Sequence, residues 1–102
     1  MDMNQIMQQA QQFQQKLSQM QEELAHKQVT STVGGGMVSV TVNGKHELID
    51  LKIEKEVIDP NEADMLQDLI VAAVNDAMKQ AQNMIQSEMA KLTGGIKIPG
   101  LF

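Results

Sequence analysis

Seven apolar residues near the start of the chain constrain its fold more than anything else. Met3, Ile6, Ala10, Phe13, Leu17, Met20 and Leu24 are separated by three and four residues in strict alternation. That spacing is the a/d seam of a coiled-coil helix. It predicts a helix over residues 2–27, roughly 40 Å long at about 1.5 Å per residue. The glutamines between the seam residues are good helix formers that keep the outer face wet but uncharged. The seam ends at Lys27, a polar residue on the next d position.

The hydrophobic period then switches to two. Val29, Ser31 and Val33 alternate with polar residues, and Val38, Val40 and Val42 share one face of a second run. Ile49, Leu51 and Ile53 line one face of a third, with Asp50, Lys52 and Glu54 opposite. Gly34-Gly35-Gly36 breaks the first pair of runs. Asn43-Gly44 predicts a two-residue type I′ turn in the second. The expected strands are 28–33, 37–43 and 47–54, an antiparallel meander that needs a cover. Asp59-Pro60-Asn61-Glu62 supplies a helix start: an N-cap, a proline at the first helical position and a capping-box glutamate. Apolar residues run on from Met65 through Ile85 to Leu92, and Gly94-Gly95 stops them. A helix over 60–93 is expected, followed by the tail 94–102.

Lengths decide how these parts combine. A compact chain of this size has a radius of gyration near 13 Å, about. Helices of roughly 40 and 50 Å overrun any three-stranded sheet. The expectation is an α+β fold, a single domain over 1–102, in which residues 1–15 and 80–93 pair on a protruding antiparallel arm. Such a shape exposes more apolar surface than one copy buries, and a symmetric homodimer is the simplest remedy.

Composition removes whole classes of function. There is no cysteine, so disulfides and thiolate chemistry are excluded. Phe13 and Phe102 are the two aromatic residues, too few for a base-stacking platform. No apolar run reaches membrane-spanning length, and the Gln-rich start does not read as a signal peptide. A soluble cytoplasmic chain is expected. The net charge is −5 with no arginine, but it is unevenly spread. Asp59, Glu62, Asp64, Asp68 and Asp76 lie in a stretch without lysine, whereas residues 77–102 hold Lys79, Lys91 and Lys97 against Glu88 alone.

Three segments taken together, GGGMVSVTVNG, DLIVAAVNDA and MAKLTGGIKIPGLF, closely resemble the YbaB/EbfC family of bacterial nucleoid-associated proteins. The resemblance spans essentially the whole chain. It implies a tweezer-shaped homodimer that binds double-stranded DNA with its helical arms. It also implies altered DNA conformation, a place at the nucleoid, and an influence on nucleoid organisation and gene expression. Replication or recombination proteins are implied as further partners.

On this reading the candidate phosphate contacts are Lys16, Lys79, Lys91 and Lys97, each of which would release counterions on binding. The seam of Met3, Ile6, Ala10, Phe13, Leu17, Met20 and Leu24 would hold the arm or dimer together. The competing class is a non-enzymatic dimer whose arms clamp a replication or recombination partner. The acidic total and the seam methionines favour that class. The carboxylates Asp59, Glu62, Asp64 and Asp68 fall in the first turns of a helix, where its dipole stabilises them, so no metal site is expected. His26 and His46 have no ligand spacing around them. The glycine triplet lacks the Lys-Ser/Thr of a phosphate-binding loop. No nucleophile is paired with a base, so neither an enzyme nor a cofactor is expected.

Overall fold

A computed structural model of the chain describes residues 2–93. Helix α1 spans Met3–His26, and strands β1 (Gln28–Val33), β2 (Val38–Asn43) and β3 (Leu48–Ile53) follow. Two 3-10 turns, Lys55–Val57 and Pro60–Glu62, lead into helix α2, Ala63–Thr93. The expected α+β order, helix–meander–helix, is what forms. The tail and its glycine stop lie outside the described residues.

The sheet is antiparallel in the order β1-β2-β3. Its central strand places Val38, Val40 and Val42 against Ala73, Ala77 and Ala81 of α2, all fully buried. Alanines at every fourth position leave no side chain between helix and sheet, so the α2 backbone seats close to β2. Val29, Val33, Leu66, Leu69, Ile70 and Val74 close the rim. The opposite face of the sheet is polar: Thr30 pairs with Thr41 at 2.9 Å, and Thr32 with Ser39 at 3.0 Å.

Four details differ from expectation, each for a physical reason. First, the β2–β3 turn has three residues, Gly44-Lys45-His46, rather than two. His46 takes the positive φ, at 61°. Its amide donates to the Asn43 carbonyl, and Asn43 Oδ1 accepts from the amides of Lys45 and Glu47 at 2.9 and 3.0 Å. Gly44 is glycine for a different reason. Its amide donates to the carbonyls of Leu24 and Lys27 at 2.9 and 3.1 Å, closing the end of α1. A Cβ there would stand 2.3 Å from the Leu24 oxygen.

Second, the three-residue loop changes the phase of β3. Val42 pairs with Leu48, and a bulge then lets Val40 pair with Leu51 and Val38 with Ile53. Without that extra residue Asp50 and Lys52 would face the core. The residues of β3 paired with the core valines are therefore Leu48, Leu51 and Ile53, and Ile49 is the extra residue of the bulge beside Leu48. Third, the turn after Asp59 is 3-10. Asp59 Oδ1 accepts from the Asn61 amide at 3.0 Å, while Glu62 contributes its backbone amide, 2.9 Å from the Asp59 carbonyl. The α-helix begins only at Ala63.

The fourth difference sets the shape of the molecule. Residues 2–15 do not pair with 80–93. The last turns of α2 lie beside residues 16–27 instead: Lys27 Nζ meets Glu88 Oε1 at 2.6 Å, and Lys16, Gln19 and Met20 share a groove with Lys91 and Leu92. The register is fixed at the base of the arm, where Leu24 is buried at the Gly44 turn and Met20 beside Ile85 and Met89. Residues 3–15 run on past Thr93 for about 20 Å, and Met3 is 74% and Ile6 49% exposed. The chain measures 70 × 23 × 16 Å with a radius of gyration of 19.3 Å, well beyond the compact value.

Candidate nucleic-acid interface

On the arm, lysines meet the carboxylates Glu23 and Glu88. α1 and the end of α2 run side by side and bring Lys16, Lys27 and Lys91 around one groove wall. Glu88 lies among them, taking Lys27 Nζ at 2.6 Å and Lys91 Nζ at 3.3 Å. Those two ammonium groups hold its carboxyl below the usual carboxylate range, the Lys27 hydrogen bond contributing most. Glu23 lines the same groove. The Lys27 and Lys91 side chains are 44% and 71% exposed, and Lys16 is exposed as well.

The four lysines singled out from the sequence are distributed unevenly. Lys16 and Lys91 come together on the arm. Lys79 does not join them: it sits on the half of α2 that covers the sheet and faces away from it, exposed, two residues past buried Ala77. Lys97 lies outside the described residues. Lys27, which in the sequence reads as the residue that ends the seam, belongs to the cluster. The signal was there in the sequence, since a lysine on a d position needs a partner, and Glu88 is that partner.

The seam residues also divide. Met20 and Leu24 are buried, and Phe13 and Leu17 are half-buried. Met3, Ile6 and Ala10 are exposed. A polar tie holds α2 over β1: buried Ser31 donates from Oγ to Asp76 Oδ2 at 2.7 Å, and Gln80 Nε2 donates to the same oxygen at 2.8 Å. These two hydrogen bonds, Ser31 first, keep the Asp76 carboxyl below its ordinary range, with Lys79 adding to the effect. Among the described residues no helix is long and apolar enough to cross a membrane.

The chain is an elongated α+β protein with a lysine-bearing helical arm. A sequence model described as the YbaB/EbfC DNA-binding family matches residues 1–96. A nucleoid-associated protein of Clostridium acetobutylicum is 52% identical over 100 residues, covering 98% of this chain and 89% of its own. One from Pelotomaculum thermopropionicum is 50% identical over 101 residues, covering 99% and 96%. The crystal structure of an uncharacterized protein from Helicobacter pylori superposes with a TM-score of 0.82 at 32% identity, covering 92% of this chain and 99% of that one. The chain belongs to the YbaB/EbfC family, which consists of nucleoid-associated DNA-binding proteins and not of enzymes.

Proposed function

We propose that the protein binds duplex DNA as a homodimer, gripping it between helical arms through Lys16, Lys27 and Lys91. By bending or clamping the duplex it would shape the nucleoid and influence gene expression. The observation that carries this reading is the separation of charge along α2. Asp59 and Glu62 lead into it, Asp64 and Asp68 lie near its start, and its far end, about 46 Å away, meets Lys16 and Lys27. DNA would be repelled from the sheet end and drawn to the arm. The glutamines of α1 from Gln5 to Gln15 add no charge to oppose it.

Support for the dimer comes from apolar surface left open in one chain. α2 covers β1 and β2 but makes little contact with β3, so Leu48 and Leu51 on its inner face are 50% and 40% exposed. Ile58, Met65 and Val71 are also exposed. Large apolar surface of this kind marks an interface. A second copy meeting it by two-fold symmetry would cover both patches at once.

Two measurements test the reading. Light scattering should give twice the chain mass, and Leu48→Asp/Leu51→Asp should give the single mass. Duplex binding followed by fluorescence anisotropy should weaken steeply with salt. Four to six lysine contacts per dimer predict a log–log slope of about −4 to −5. A slope near zero, or no binding at low salt, would transfer support to the clamp on a replication or recombination protein.

A further inference from the structure

The exposed end of α1 carries a seam that fits a second copy of itself. Residues 3–15 contain no charged side chain, and their a/d pattern continues the one buried lower down at Met20 and Leu24. There Ile6, Met7, Ala10 and Phe13 line a shallow apolar hollow, and Met3 and Met7 are 74% and 57% exposed. DNA is a poor occupant, because no cation in this stretch meets a phosphate. Among the described residues α2 does not reach it, since Leu92 stands level with Lys16. A heptad seam is covered by another helix that carries one. Lower down α2 already packs antiparallel to α1, with Glu88 at Lys27 and Leu92 in the groove of Lys16.

Two copies of this stretch complement each other in one register. Set antiparallel about an axis level with residue 8, their a positions face d positions. Met3 then meets the partner's Phe13, and Ile6 the partner's Ala10, each twice, so the small Ala10 makes room for Ile6. The residues just before the a positions are Asp2, Gln9 and Lys16, which flank the seam on one side and meet one another in an antiparallel pair. Asp2 lies against the partner's Lys16 at both ends, and Gln9 against the partner's Gln9. Sliding one heptad toward the base sets Asp2 against the partner's Glu23 and drives Met3 onto Met20, which is already buried. A parallel pair sets Ala10 opposite Ala10 and gives Asp2 no cation. From the open seam and this matching of size and charge, we propose that the α1 tips of two copies pair antiparallel over residues 3–13, with Asp2–Lys16 ion pairs closing both ends. The contact goes beyond DNA binding. It lies on the arm, away from Leu48 and Leu51, and together with a sheet-end contact it links dimers arm to arm into longer assemblies.

Sedimentation equilibrium of the full-length protein without DNA tests the pairing. Four seam layers bury less than about 1,200 Å², the size of a weak contact. The mass should therefore climb above its low-micromolar value as the concentration rises through about 10–500 µM. The starting mass reports the sheet-end contact and the climb reports the arm, so Leu48→Asp/Leu51→Asp should climb all the same, whatever mass it starts from. Ile6→Asp should keep the starting mass and weaken the further association at least about tenfold. Asp2 caps α1 by accepting from the Asn4 amide, and Asp2→Asn keeps an oxygen for that role. At low salt Asp2→Asn and Lys16→Gln should each weaken association about threefold to tenfold, counted over two ion pairs. The double variant should be no weaker than either single one. Losses that multiply in the double variant overturn the proposed pairing. A mass that does not climb, or a climb untouched by Ile6→Asp, also overturns it, because the seam is then covered within its own chain or not at all.

Discussion

Gly44 shows how much one residue can determine. Its amide serves two carbonyls at the end of α1, and its missing side chain lets the β2–β3 turn lie directly on that helix. Gly44→Ala would place a carbon 2.3 Å from a backbone oxygen and 2.7 Å from the Leu24 Cβ. Neither atom is the far end of a flexible side chain, so the turn or the helix must move. A loss of about 2–3 kcal/mol is expected from urea unfolding. Gly35 is a useful contrast, with open space around it but φ at 69°. Gly35→Ala should lose only about 1 kcal/mol, from backbone strain alone. Asp76 acts through charge. Its carboxyl is depressed by Ser31 and Gln80, so its contribution is fully present above the unfolded carboxylate value of about 3.9 and fades as pH falls through the lower native value. Asp76→Asn should therefore lose less stability than the wild type when urea midpoints are compared between about pH 5 and pH 3. Parallel pH curves for the two proteins would refute this role.

At the scale of elements, the α2–sheet contact depends on small residues. Ala77 is fully buried against the β2 valines, so Ala77→Leu should cost about 1–3 kcal/mol or more by thermal or urea unfolding. Ala72→Leu, on the exposed side of the helix, should change stability by less than about 0.5 kcal/mol. The patterns behind these elements were legible in the sequence. The a/d spacing gave α1, the alternation of Val38, Val40 and Val42 gave the central strand, and the long apolar run gave α2. What escaped were features decided by contacts between distant residues. Asn43-Gly44 reads as a tight turn until Leu24 is placed beside it. The β3 bulge follows only once the longer loop has set the phase. The register of the arm is fixed by the contact of Leu24 with Gly44 and by the Lys27–Glu88 pair, neither of which a periodicity reports. For the same reason the sequence groups Lys79 with Lys16 and Lys91 on the arm and leaves Lys27 out, whereas Lys79 lies on the part of α2 over the sheet and Lys27 meets Glu88.

For the whole molecule, the question is which surface holds DNA, and charge-matched variants answer it. Lys16/Lys27/Lys91→Gln removes three charges from the arm, and Lys45/Lys52/Lys55→Gln removes three from the sheet end. The net charge changes equally, so the long-range field of the molecule is held constant between them. The sheet lysines stand among Glu47, Asp50, Glu54 and Glu56 in the chain, where a phosphate would meet repulsion as well as attraction. The arm lysines have Glu88 and Glu23 beside them, and two of the three already share Glu88. Losing Lys27 also breaks the tie that helps fix the arm register, so Lys16/Lys91→Gln is needed as a second arm variant that keeps it. The triple arm variant should lose roughly three units of salt slope per chain engaged, at about 0.9 per phosphate contact, and most of its affinity at low salt. The double variant should lose about two. The sheet variant should bind nearly as the wild type does. If the sheet variant is the one that releases DNA while both arm variants hold it, the interface lies on the meander, and the arms serve assembly instead.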